Sequence, residues 1–418
     1  MVSRKNILQT VCNHNLARDS AIIFIGSMVS NVVSYIFHLV MGRMLGPDGY
    51  GELSALYSLL YLFTVPLGVG QTVLVKFVSE MKAKNDTGEA KSLFWKSTRI
   101  CLILSLLGLP FAVMLAPLVM NFLQIQVSIL FILVYILFIF SLLTMFIVSL
   151  LQGYQKFLWL SILGSLVIIL KLVFSIVGVR WGLVGVMTGS LVASIIAYIL
   201  YFFPLRSMLR ITSKPIKITW REALGYAVPT FFALLGLTSL YSTDILFVKH
   251  FFSASQAGVY AALAILGKVI FYASSAIGLV LFPVLSERVA KKEQTKKLVY
   301  TGVAAVSVVS IFITGLYFLF PQTVIHLLFG NTYVGAVPLL GMFGIFLSLF
   351  SVGSILTIVN LALGNTGVWT VTLCSALLQI IGIIVFHDQI MTVIFVNIIV
   401  SSILTIGAGS YYFFRKNT

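Results

Sequence analysis

Long apolar stretches fill this chain almost from end to end, and the loops between them are no longer than about 20 residues. A helix needs about 20 apolar residues to cross the roughly 30 Å hydrocarbon core of a bilayer, and these stretches reach that length. Hydrophobic residues make up 60% of the chain and charged residues 9%, with a mean hydropathy of +1.10. The sequence therefore predicts an all-α polytopic membrane protein.

The spacing of the apolar stretches predicts about twelve transmembrane helices. The short turns near Trp181-Gly182 and Gly364-Asn365 are the points at which two spans are hardest to separate. The expected ranges are 20–42, 53–78, 98–120, 127–151, 157–179, 182–203, 223–249, 256–285, 298–320, 333–361, 367–386 and 390–414.

Positive charge falls on one side of these predicted helices. Of the 27 Lys and Arg residues, 21 lie in segments that face the cytoplasm if the N-terminus is cytoplasmic, and three lie in the outer segments. This asymmetry predicts a cell-membrane protein with both termini in the cytoplasm. The net charge of +16 then mostly reflects the orientation of the chain in the membrane. We expect the basic loops to lie against anionic membrane lipids.

Several functions are disfavoured by the short loops. A nucleic-acid partner needs folded, exposed mass on which to display basic charge, and a soluble catalytic domain needs more chain than any loop offers. The three cysteines, Cys12, Cys101 and Cys374, have no metal-binding or redox spacing. We therefore expect neither an enzyme nor a cofactor or metal site.

The two halves of the chain match at an offset of 207 residues. Gly51 and Ala55 then meet Gly258 and Ala262, and Ser79-Glu80 meets Ser286-Glu287. An offset of six helices preserves orientation, which is typical of parallel repeats. The sequence therefore predicts two parallel six-helix lobes around a central cavity, an architecture suited to alternating access. Their expected bounds are 1–203 and 223–418, with a basic cytoplasmic linker at 204–222.

Four charged residues in or at the ends of the predicted helices are candidate substrate-binding residues: Arg43, Lys171, Asp244 and Lys268. A charge at the bilayer centre costs about 2.5–3.5 kcal/mol on insertion scales, so it normally faces a cavity or a partner. Three of the four are cations, which favours a substrate that carries phosphate or pyrophosphate. The alternatives are that Asp244 and Lys268 neutralise each other, that Lys171 extends its amine to the membrane surface, and that Arg43 anchors the outer end of its helix.

Two runs of residues resemble a known family. The first is Arg43-Met44-Leu45-Gly46-Pro47-Asp48-Gly49-Tyr50-Gly51-Glu52, followed by a helix that ends at Val78-Ser79-Glu80. Its counterpart is Asp244-Ile245-Leu246-Phe247-Val248-Lys249-His250, followed by Ala257-Gly258-Val259-Tyr260-Ala261-Ala262. Together with the span count, they resemble the polysaccharide-biosynthesis (Wzx-like) flippases over essentially the whole chain. That family belongs to the superfamily of MATE-type multidrug extruders and lipid II flippases.

The resemblance implies movement of a polyprenyl-diphosphate-linked oligosaccharide from the cytoplasmic to the outer leaflet, for surface-polysaccharide assembly. It implies Lys171 and Lys268 as cavity residues for the anionic headgroup, Arg43 at the outer end, and polysaccharide-assembly proteins as partners. The main alternative is a cation-coupled multidrug extruder of the same fold, but no Asp or Glu lies between Ser20 and Gly42. A membrane-embedded glycosyltransferase is a second alternative, and the short outer loops disfavour it.

Overall fold

The computed structural model describes residues 4–84, 86–206, 212, 214, 220–290 and 293–415, without the side chains of 4–21, 24, 83, 220–227, parts of 275–290 and 415. The described chain is helical and contains no β-strand. Most of the predicted linker, 204–222, lies outside the described residues, and so do the side chains of Ser286 and Glu287.

The helices of the described residues are numbered in chain order. They are α1 Arg4–Ala83, α2 Thr87–Phe122, α3 Ile129–Gly153, α4 Phe157–Gly178, α5 Gly182–Tyr201, α6 Trp220–Leu240, α7 Thr243–Phe251, α8 Ala254–Ala290, α9 Lys296–Leu319, α10 Pro321–Leu328, α11 Leu340–Ala362, α12 Trp369–Val385 and α13 Ile390–Arg415. Short 3-10 helices occupy Val179–Trp181, Phe203–Leu205, Asn331–Leu339 and Thr366–Val368.

Ten helical segments within the described residues are long and apolar enough to cross a membrane. Two of them are too long for one crossing: Ile25–Lys82 has 58 residues and Phe157–Leu205 has 49. At 1.5 Å per residue the first would measure about 87 Å, nearly three times the bilayer core. Gly46 breaks the first, with φ 68°, and Gly182 breaks the second, with φ 64°. Glycine adopts this left-handed conformation without a steric penalty.

Each long segment therefore contains two of the predicted spans. The all-helical, membrane-spanning architecture is confirmed, whereas the count of about twelve stays a prediction.

The chain divides into two compact units. Unit 1 comprises the described residues of 1–41, 67–118 and 127–220, and unit 2 those of 42–66, 119–126 and 221–418. Two short stretches from the first half, 42–66 and 119–126, therefore pack with second-half residues. The predicted lobes 1–203 and 223–418 stay a prediction.

Within unit 1, α4 and α5 pack with their backbones in close contact. A Cβ on Gly178 would overlap the Gly185 carbonyl, and a Cβ on Gly189 would lie 2.5 Å from the Phe174 carbonyl oxygen. Small residues let membrane helices approach in this way.

Within unit 2, α11 packs against α8, α9 and α13. Phe343, Phe346 and Phe350 of this helix are buried.

Candidate functional site

Lys268 of α8 lies deep inside unit 2, among aromatic side chains. Its side chain is only 5% exposed, and its Nζ lies 5.2 Å from the centre of the Tyr61 ring and 5.3 Å from that of Tyr241. The electron-rich faces of the rings attract the ammonium group, and this attraction is stronger away from water. The Tyr61 and Tyr241 rings therefore compensate in part for the burial of the Lys268 charge.

Asp244 begins a chain of buried polar contacts in the same unit. It lies in the first turn of α7 and is 1% exposed. Its Oδ2 accepts a 2.6 Å hydrogen bond from the Tyr260 hydroxyl, and its Oδ1 accepts one from the Ile245 amide at 2.9 Å. Tyr260 in turn accepts a 2.8 Å hydrogen bond from Asn397 Nδ2. Asp244 therefore has polar partners of its own, as a buried carboxylate requires.

The same chain continues to α12. Gln379 Nε2 donates to Asn397 Oδ1 at 2.9 Å and to the Leu240 carbonyl at 2.8 Å. These contacts join five helices, α6, α7, α8, α12 and α13. Tyr260, Gln379 and Asn397 are absent from the sequence-based candidates because each is an ordinary polar residue of an apolar helix.

Lys268 of α8 and Asp244 of α7 lie in the same unit. The ion pairs of the described residues do not include a direct contact between them. Mutual neutralisation of Asp244 and Lys268 therefore stays a prediction.

Lys171 of α4 lies in unit 1. It is half-buried, and its Nζ lies 4.1 Å from the centre of the Phe37 ring of α1. Both membrane lysines therefore share one arrangement, an ammonium group against an aromatic face.

Arg43 of α1 lies in unit 2, where it contacts the end of the second-half helix α10. Its Nε donates to the Leu328 carbonyl at 3.0 Å, and its Nη2 donates to the Leu327 carbonyl. These are the final carbonyls of α10, where a cation is favoured by the unpaired carbonyls and the helix dipole. The structure gives Arg43 a helix-capping contact, and its predicted role with substrate stays a prediction.

His250 makes the corresponding contact from the second half. Its Nδ1 lies 2.6 Å from the Phe122 carbonyl at the end of α2, and its ring stacks on that of Phe122 with centres 4.1 Å apart. Gln124 Nε2 donates to the His250 carbonyl at 2.6 Å. His250 lies 207 residues after Arg43, which is the offset between the matching halves of the chain. The sequence match could therefore have identified His250 as the counterpart of Arg43.

Lys249 is one of the three basic residues in the predicted outer segments. It lies in α7 and is 2% exposed. Its Nζ is 3.9 Å from Glu52 Oε1, so the two charges compensate each other within unit 2.

The sequence matches a family model described as "Polysaccharide biosynthesis protein" over residues 16–289, about two thirds of the chain. The chain belongs to that family. No curated protein matches the sequence.

Solved structures of related fold include a lipid II flippase in an inward closed conformation, with a TM-score of 0.72 and 16% identity over 95% of this chain and 87% of that one. An inward-facing multidrug-resistance MATE transporter of the MOP superfamily has a TM-score of 0.71 and 13% identity over 93% and 96% of the two chains. A eukaryotic MATE transporter has a TM-score of 0.68 and 13% identity over 94% of each chain. These similarities show that this chain has the same overall fold as those proteins.

The family match confirms the predicted polysaccharide-biosynthesis family, and the apolar helices together with the fold confirm a multi-pass membrane protein.

Proposed function

We propose that this protein is a flippase that moves a polyprenyl-diphosphate-linked oligosaccharide from the cytoplasmic to the outer leaflet of the cell membrane, for surface-polysaccharide assembly. The observation that carries the proposal is the pair of membrane-embedded lysines, Lys171 and Lys268, each held against aromatic rings. Membership of the polysaccharide-biosynthesis family supports it, and so does the fold likeness to a lipid II flippase.

The physical argument concerns the headgroup. A diphosphate must lose water to cross the membrane, and it then needs cationic donors to replace that water. Charge-assisted hydrogen bonds from lysine to phosphate are about twice as strong as neutral ones. Aromatic faces hold the lysines before substrate arrives, and they also offer flat apolar surfaces to sugar rings.

Lys268 has to exchange partners in this scheme. With 5% of its surface exposed, it meets a phosphate only when the helices around it open. The Tyr61 and Tyr241 rings release the ammonium group as the headgroup replaces them. Opening of two lobes, 1–203 and 223–418, to alternate sides is the motion that we propose, with both termini in the cytoplasm.

Extrusion of cationic drugs has weaker support. A cationic drug needs a carboxylate within the membrane that is free to pair with it. Between Ile22 and Gly42, the described part of the first span contains no acidic residue. Asp244 is buried, and each of its carboxylate oxygens accepts a hydrogen bond within the protein.

The test in cells is the leaflet position of the lipid-linked oligosaccharide with the gene for this chain deleted. We expect accumulation in the cytoplasmic leaflet, restored by the wild-type protein and by Lys96→Met. Lys96 is an exposed lysine of α2 and is the matched control. Lys171→Met and Lys268→Met keep the side-chain length without the charge, and we expect neither to restore transport. Normal outward movement in the deletion strain would exclude the proposal, and accumulation of cationic dyes there would favour drug extrusion.

A further inference from the structure

A pocket in unit 1 is lined by uncharged polar side chains. It has a volume of about 330 Å³ and lies between α1, α4 and the end of α3. Its polar lining consists of Ser27, Ser30, Asn31, Gln152 and Ser161, and none of its lining residues is charged. The volume is at the small end of the range for ligand sites, roughly 300–1,000 Å³. The pocket is therefore large enough for a small polar group.

The pocket is built from two facing helix stripes. On α1 its lining residues fall at positions 23, 26, 27, 30 and 31, and on α4 at 157, 160, 161 and 164. Spacings of three and four residues place side chains on one helix face. A Cβ on Gly26 would lie 2.5 Å from the Ser161 Cβ, so the two helices cross in close contact at the pocket.

Hydrogen bonds to the α1 backbone hold the α4 side of the pocket in place. Ser161 Oγ donates to the Ile22 carbonyl at 2.9 Å, and Ser165 Oγ donates to the Gly26 carbonyl at 3.2 Å. Because the Ser161 hydroxyl uses its proton on a backbone carbonyl, its oxygen remains an acceptor toward the pocket. The Ser161 hydroxyl is therefore pre-positioned.

Gln152 is oriented by a second contact. Its Oε1 accepts a 3.1 Å hydrogen bond from Gln71 Nε2, which leaves its own amide N–H groups as donors. Gln152, Ser27 and Asn31 are all exposed. The pocket therefore presents both donors and acceptors on accessible side chains.

The depth of the pocket argues against lipid as the neighbour. Ser27 and Asn31 lie seven and eleven residues beyond the predicted cytoplasmic start of the first span, or about 10–16 Å along the helix. The exposed Asn31 amide at that depth favours water or a polar ligand as its neighbour. Phe157 and Leu160 add an apolar wall to the same pocket.

We infer that this pocket binds an uncharged, hydroxyl-rich sugar unit of the substrate. Sugar rings combine hydroxyl groups that donate and accept with an apolar C–H face, and the lining matches both. The inference rests on the proposed flippase function and adds a saccharide site to it. Ser161 precedes Lys171 by ten residues on α4, about 15 Å along the axis, so the sugar bound here is separated from a diphosphate at Lys171.

The test is protection of a cysteine placed in the pocket. In a background with the three native cysteines changed to serine, Asn31→Cys is labelled with a maleimide in the purified full chain. The probe is the oligosaccharide released by mild acid from the host's own lipid-linked pool, and inorganic pyrophosphate is the comparison. Val32→Cys is the matched control, because Val32 is 50% exposed and lies outside the pocket.

We expect the oligosaccharide, at about ten times its Kd, to slow labelling of Asn31→Cys about tenfold by mass action and to leave Val32→Cys unchanged. Protection by pyrophosphate alone would assign the pocket to phosphate and overturn the inference. Protection by neither probe would overturn it as well.

A second measurement separates this inference from the proposed function. The variant Asn31→Ala/Gln152→Ala is tested in the cellular leaflet assay beside Val32→Ala. Loss of transport in the double variant alone supports the sugar site. If gene deletion blocks transport but the double variant transports normally, the sugar site is wrong and the flippase proposal stands. If deletion has no effect, the flippase proposal itself fails.

Discussion

Gly51 and Gly258 lie against each other in unit 2, and they are the two glycines that the offset of 207 residues pairs in the sequence. A Cβ on Gly51 would lie 2.8 Å from the Gly258 amide nitrogen and 3.2 Å from the Ala254 carbonyl oxygen. A Cβ on Gly258 would overlap the Pro47 carbonyl. Helices α1 and α8 are therefore in close backbone contact at this point.

Arg43 and His250 are related in the same way. Each lies near the end of a helix in its own half and contacts the last carbonyls of a helix from the other half, α10 for Arg43 and α2 for His250. This reciprocal exchange explains why 42–66 and 119–126 pack with second-half residues.

The glycine contact gives the first prediction. Gly258→Ala places a methyl group against backbone rather than against a side chain that can move, and overpacking of this kind typically costs 1–3 kcal/mol. We expect a lower thermal midpoint for the purified protein. Gly315→Ala is the control, because a Cβ there would meet no atom within 4 Å. Equal midpoints for the two variants would show that the contact between the repeats is not close.

Removal of the Arg43 cap gives the second prediction. Arg43→Gln removes the charge-assisted contacts to Leu327 and Leu328, and hydrogen bonds to charged groups contribute about 1.5–3 kcal/mol at buried sites and less at exposed ones such as this. We expect a lower thermal midpoint for Arg43→Gln. Arg180→Gln is the control, because Arg180 is exposed in a 3-10 helix, and we expect its midpoint to be unchanged.

Transport by the same variants tests whether Arg43 also contacts substrate. Arg43→Lys keeps the positive charge but loses the fork that reaches two carbonyls. Normal transport by Arg43→Gln in membranes with wild-type protein levels would leave Arg43 with a capping role alone. If Arg43→Lys transports normally and Arg43→Gln does not, transport requires a positive charge at position 43.

The Asp244 network gives the third prediction. Tyr260→Phe removes the donor to the buried Asp244 carboxylate and the acceptor of Asn397, at a cost of about 1–3 kcal/mol for each group left without a partner. Thermal unfolding of the purified variant should show a clear loss of stability. Tyr300→Phe is the control, since Tyr300 is 48% exposed on α9. An unchanged midpoint for Tyr260→Phe would mean that the network contributes little.

Much of the architecture could be predicted from the sequence, because bilayer thickness fixes the length of an apolar helix. Gly46 and Gly182 mark the two breaks. The rarity of charged residues in the predicted helices identified Arg43, Lys171, Asp244 and Lys268 as candidates. The contacts of those charges could not be predicted. Tyr61, Tyr241 and Phe37 are three aromatic residues among many, and only tertiary packing selects them as partners of the lysines.

The polar network and the pocket in unit 1 were missed for a related reason. Tyr260 and Asn397 are 137 residues apart in sequence, so their pairing depends on how α8 packs against α13. The pocket could have been suspected from helical spacing, since Ser27, Ser30 and Asn31 share one face of α1. Its partner face on α4 required the structure.

The central claim is that lysine charge in the membrane carries a diphosphate headgroup, and reconstituted transport tests it most directly. The measurement is the initial rate at which a polyprenyl-diphosphate-linked saccharide crosses the bilayer of proteoliposomes. We predict that Lys171→Met/Lys268→Met lowers the protein-dependent rate at least about tenfold, the equivalent of about 1.4 kcal/mol, and that Lys171→Arg/Lys268→Arg retains more of it. A wild-type rate no faster than that of protein-free liposomes, or an unchanged rate in the Met variant, would contradict the account.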